Sequence, residues 1–145
     1  YSVIGNHNVA SPDDSLLGVT STSAIEPTIT YVNIGSADTP GDVALLWSIG
    51  RYTAAGTLTA WTPVNLGPGT TASTATAGYN HTVEPTYTSN AVLWYIALNT
   101  RATHSLVFDP EGGLACPASN SNGLGLYPTH ASSTVLTHGQ VHFME

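Results

Sequence analysis

Lysine is absent from this 145-residue chain, and its only basic side chains are Arg51 and Arg101. Charged residues make up 8% of the total, where about 25% is usual for a soluble domain. Nine carboxylates set the formal charge at −7. Nucleic-acid binding takes its affinity from lysine and arginine, which release counterions from phosphates. Two arginines exclude that class of partner and disfavour an anionic membrane surface. No apolar run approaches the ~20 residues that span a bilayer. Neither nucleic acid nor membrane is therefore expected as a partner.

Cysteine is nearly absent too. Cys116 stands alone, so no internal disulfide forms, and the thiol reads as buried and inert. Helical periodicity is missing, because Gly, Pro, Ser and Thr interrupt the chain every ten residues or so. The chain has no Gly-x-Ser-x-Gly nucleophile motif, no phosphate-binding glycine loop and no Asp-x-Asp-x-Asp-Gly calcium loop. No enzyme, cofactor or metal site is expected on these grounds.

What is present is apolar and β-forming. Hydrophobic residues reach 41%, with three tryptophans and seven tyrosines, which excludes intrinsic disorder. Short β-branched and aromatic runs lie between turn clusters such as "SADTPGD", "LGPGT", "DPEGG" and "ASNSNG". Strands are expected at Leu16–Ser21, Thr28–Ile34, Val43–Tyr52, Thr57–Thr62, Ala72–Ala77, Thr86–Leu98 and Ala102–Phe108. Short pieces follow near Cys116 and at Leu124–Tyr127, and a last strand at Ser133–Phe143 bulges at Gly139. The predicted fold is all-β: an antiparallel β-sandwich of jelly-roll form with eight to ten short strands. Residues 16–145 form the sandwich. Residues 1–15 form an N-terminal arm with no evident strand partner, suited to strand addition on a neighbour.

"EPTIT" at Glu26–Thr30 returns as "EPTYT" at Glu84–Thr88. Proline lacks an N–H and belongs at a strand start or edge, and it pushes the preceding residue to extended geometry. Both copies read as strand entries. "LLWSI" at Leu45–Ile49 and "VLWYI" at Val92–Ile96 read as two similar sandwich strands. The expected core holds Ile29, Tyr31, Leu45, Trp47, Ile49, Leu93, Ile96, Leu106 and Phe108, with Trp94 also inside.

The candidates for chemistry are few. Glu26 and Glu84 are the pair to consider as glycosidase carboxylates, but each reads better as an edge or solvent residue. Asp38, Asp42, Asp109 and Glu111 lie in turns, where a calcium ion binds in some sandwiches. His138 and His142 share one face of the last strand by period two, and His104 or His130 is a possible third ligand; surface or interface histidines are the plainer reading. Asn80-His81-Thr82 is a glycosylation sequon. Trp61 in "TAWTP" suits a sugar platform or a protein interface.

Three segments, "ITYVNIGSADTPGDVALLWSIGRYTAAGTLTAWTPVNLGPG", "TAGYNHTVEPTYTSNAVLWYIALNTRATHSLVFDPEGGL" and "NGLGLYPTHASSTVLTHGQVHFME", cover most of the chain. Their pattern resembles small all-β structural proteins of tailed bacteriophages, in the head decoration or cement class. The resemblance implies a capsid-binding subunit on the virion exterior, partnered by the major capsid protein and by copies of itself as a dimer or trimer. The scarcity of basic residues argues against a direct role in DNA packaging. Interface candidates are Trp61, Tyr79, Tyr87, Tyr127, Val3 and Ile4. The rival readings are a tail-fibre or filament subunit linked by an N-terminal strand, and a carbohydrate-binding module that holds a surface glycan.

Overall fold

The computed structural model describes residues 1–10, 14–130 and 134–145. Eleven strands lie within them: β1 (Ser2–Val9), β2 (Leu17–Thr20), β3 (Thr28–Ser36), β4 (Ala44–Ala54), β5 (Thr57–Trp61), β6 (Thr76–Val83), β7 (Thr86–Asn99), β8 (His104–Val107), β9 (Leu114–Ala115), β10 (Gly123–His130) and β11 (Val135–Met144). No described residue is helical. The five-stranded sheet has the order β1-β11-β3-β8, with β9 paired to the start of β3 beyond β8. The six-stranded sheet has the order β5-β6-β2-β10-β4-β7. Every pairing is antiparallel. The sheets pack face to face as a sandwich.

Alternation decides what the sandwich buries. From the five-stranded sheet come Val3, Val9, Ile29, Val32, Ile34, Val141 and Phe143. Leu17, Val19, Leu45, Trp47, Ile49, Leu124 and Leu126 meet them from the six-stranded sheet. Each such side chain contributes about 1.5–3 kcal/mol when fully buried. The two EPT segments are strand entries: β3 starts at Thr28 and β7 at Thr86, and Pro27 and Pro85 are buried just before them. The two similar apolar runs turn out to be direct neighbours, with Leu45 opposite Leu98, Trp47 opposite Ile96 and Ile49 opposite Trp94.

Four expectations are corrected. First, Ser2–Val9 of the expected N-terminal arm form an integral strand, while residues 11–13 of that arm lie outside the described residues. β1 pairs with β11 of the same chain from Ser2↔His142 to Val9↔Val135. Its inward residues Val3 and Val9 are fully buried, which fixes its register. Second, β6 runs Thr76–Val83 rather than Ala72–Ala77, because Ala77 and Tyr79, not Ala72, pack against the core cluster. Third, the last strand passes straight through Gly139, and the register shift falls between His142 and Phe143 against β3. Fourth, that shift leaves one extra residue in β3 between Ile29 and Tyr31 and reverses the alternation. Val32 and Ile34 therefore join Ile29 in the core, and Tyr31 turns to the outer face against the His142 ring, 4.5 Å away.

The outer face of the six-stranded sheet carries a second aromatic layer. Tyr87 stacks on Tyr127 at 3.8 Å, and Tyr52 meets Tyr87 edge-on at 6.2 Å. Glycines beneath leave room for the rings. A Cβ on Gly125 would stand 2.2 Å from the Tyr87 hydroxyl, and one on Gly123 2.2 Å from Tyr52 Cζ. The hydroxyls are partnered: Tyr52 with Thr20 at 2.7 Å, and Tyr87 with Ser15 at 2.9 Å. Burial pushes both phenols well above their usual range.

Candidate functional site

The six residues expected at an interface divide three ways. Val3 belongs to the core and Tyr127 is 4% exposed. Tyr87 belongs with Tyr127 in the aromatic layer. Val3 and Tyr127 are corrected from interface to interior, because they lie where inward alternation or glycine-lined space takes a large side chain, while Tyr87 is half-buried. Trp61, Tyr79 and Ile4 do come together. With Gly5, Asn6 and His138 they line an open groove of about 180 Å³. Trp61 meets Tyr79 edge-on at 6.0 Å. Gly5 is required there, since a Cβ would lie 2.3 Å from Tyr79 Cβ. Asn6 and His138 face each other across β1 and β11. No carboxylate or arginine lines the groove.

The opposite flank, where β7 and β8 end the two sheets, presents a different surface. Trp94, Ile96 and Leu98 of β7 lie opposite inward residues of β4, yet they are only half-buried. Leu106 and Phe108 across the gap are half-buried too. The His104 ring stacks over Trp94 at 6.1 Å, and Phe108 meets Trp94 edge-on at 6.4 Å. The sandwich is thus incompletely closed on this side. Its rims carry Tyr95, 69% exposed, and Val107, 73% exposed. From Thr86 to Val107 the one residue of the Asp, Glu, Lys and Arg set is Arg101.

The backbone of this flank is open as well. Thr100 N–H donates to Val43 C=O at 2.8 Å. By antiparallel alternation, Leu98, Ile96 and Trp94 direct their backbone groups toward β4. Tyr95 and Ala97 direct theirs away from the sheet, as does Asn99, whose C=O accepts from Ala102 N–H at 2.9 Å. Natural proteins blunt such edges with lysine, proline or inward charge, and β7 contains none of these. The absence of charge in this stretch was the readable signal for the flank. Edge position was not readable, because periodicity does not give strand order.

Polar groups elsewhere are occupied in structural ways. Glu84 accepts from Ser15 N–H at 2.8 Å, and Glu26 from Ala118 N–H at 3.3 Å. Asp38, Asp42 and Asp109 accept from Thr39 N–H, the Asn99 amide and Glu111 N–H. Among the described residues no three His, Cys, Asp or Glu side chains gather as metal ligands. His138 and His142 do share the outer face of β11; the side chain of His130 lies outside the described residues. Cys116 is buried, and burial pushes its thiol up. It lines a second cleft with Arg51, whose Nε and Nη2 both donate to Ala115 C=O, at 3.0 and 2.9 Å. His81 is buried, with Nδ1 3.1 Å from Ser15 C=O. Burial lowers its pKa, against the raising pull of that carbonyl and of Glu84.

Compared with protein-family models, curated proteins and solved structures, the chain matches none.

Proposed function

We propose that this protein is a structural subunit that works by association. In this reading it sits on the exterior of a virion shell and reinforces it, bound to the major capsid protein and to copies of itself. The observation that carries the reading is the β7–β8 flank, where half-buried core side chains stand behind an uncharged strand edge. In its regular stretch β7 pairs with β4 from Trp94 to Asn99, and at about 3.3 Å per residue that stretch makes a straight edge about 20 Å long. Charge-poor, aromatic surface is what interface cores favour. The virion setting comes from the resemblance to phage head decoration proteins.

Electron microscopy of particles from the source, labelled with gold-conjugated antibody to this chain, tests the setting. Regular labelling over an icosahedral shell supports it. Labelling along fibres or filaments, or none on particles, overturns it. The flank is tested separately with Tyr95→Lys and Val107→Lys, both exposed in the isolated chain. Each variant should fold as the parent does and lose association.

A further inference from the structure

The groove between Trp61 and the edge of β1 has a backbone feature that its side chains do not reveal. Tyr1 and Phe143 exchange both backbone hydrogen bonds, at 2.8 and 2.9 Å. Alternation along an antiparallel pair then turns Val3, Gly5 and His7 toward β11, and Ser2, Ile4 and Asn6 away from it. Ser2 confirms this assignment. It exchanges both of its outward bonds with Val64, at 2.8 and 3.0 Å. An extended piece of this chain therefore already occupies the first outward rung of β1. The next rungs, at Ile4 and Asn6, open onto the groove.

We infer that this groove binds an extended, uncharged peptide segment of another protein, which adds to β1 as a strand and continues the pairing begun at Val64. The N–H and C=O groups of Ile4 and Asn6 supply the backbone partners. The Trp61–Tyr79 pair and Ile4 receive an apolar or aromatic side chain at alternate positions of the segment. An uncharged segment is specified because the lining residues carry no carboxylate or arginine to pair with a charged one. The site lies on the flank away from β7, so it stands or falls independently of the association proposed above.

An arrayed library of blocked heptapeptides built from uncharged residues tests this, with the intact chain as the probe. Binders should share an apolar or aromatic residue at alternate positions and should quench Trp61 fluorescence. They should also slow hydrogen exchange at the Ile4 and Asn6 amides. Trp61→Ala should weaken them about tenfold or more, as loss of an aromatic anchor does. Asn6→Pro removes an outward N–H that the β1–β11 ladder does not use, and should abolish binding. Because that substitution also constrains φ, the parallel measurement leaves the protein unchanged and N-methylates the peptide at the residue facing Ile4; binding should again be lost. The proposal is overturned if no peptide binds, or if binding survives N-methylation. It is overturned equally if a glycan array yields ligands that occupy Trp61 in place of peptides. Concentration-dependent protection of the same amides without peptide would assign the groove to a second copy, and would also overturn it.

Discussion

Gly125 and His81 illustrate what single buried residues do to stability. A methyl group at Gly125 meets the Tyr87 hydroxyl at 2.2 Å, and Tyr87 is locked against Tyr127 and Ser15. Overpacking of this kind costs about 1–3 kcal/mol. Gly125→Ala should accordingly lower the thermal midpoint by several degrees, measured by calorimetry. Gly41→Ala, whose Cβ meets nothing closer than Val43 at 3.6 Å, should leave it unchanged. His81 gives a pH dependence of definite sign. Burial holds its folded pKa below the ordinary value of 6.5. Below about pH 6.5 the unfolded chain takes up a proton that the folded chain resists, so stability falls as pH drops through that value. His7 adds to the lowering, while Glu84 and the Ser15 carbonyl oppose it. His142 is lowered as well, by burial and by the N-terminal ammonium. Denaturant titrations at stepped pH should therefore show a shallower acid slope for His81→Asn than for the parent, though not a flat one.

Among the strands, β1 and β7 have the most consequence, because each ends a sheet. β1 disguises itself in the sequence: Gly5, Asn6 and Asn8 interrupt an alternation of which only Val3 and Val9 reach the core as large apolar groups. β7 is the reverse case, conspicuous as the most apolar run yet only half-buried. The direction of its backbone groups gives a sharp prediction. Ala97→Pro removes an N–H that faces away from β4, whereas Ile96→Pro removes one that the β4 ladder uses and places a ring against it. Ile96→Pro should destabilise the chain by about 3 kcal/mol or more, and Ala97→Pro by distinctly less. Ala97→Pro should still abolish association through this edge. Urea titration and sedimentation velocity of the two variants check both halves.

At the scale of the whole molecule, charge and shape act together. A chain of formal charge −7 with two arginines repels its copies at long range, while β7 and β8 themselves contain no Asp, Glu, Lys or Arg. Salt screens the repulsion and leaves apolar contact intact. Self-association should thus strengthen between low and moderate ionic strength, as read by sedimentation equilibrium. An association that weakens with salt would mean that ion pairs, not this flank, hold the copies together.

Several levels of the structure are legible in the sequence. The all-β class, most strand positions and both EPT strand entries followed from the residues, because the period of alternation and the backbone limits of proline are local properties. The core residues Ile29, Leu45, Trp47 and Ile49 followed for the same reason. The meeting of Trp61, Tyr79 and Ile4 in one groove was not legible. Tertiary structure alone decided what depends on strand order and register. It placed β1 beside β11 and so turned an expected arm into a structural strand. It bulged β3 against β11, which exchanged Tyr31 for Val32 in the core. It also put β1 and β7 at the ends of their sheets. Edges are created by which strand lacks a neighbour, and that is a relation between segments far apart in the chain, which no local pattern encodes.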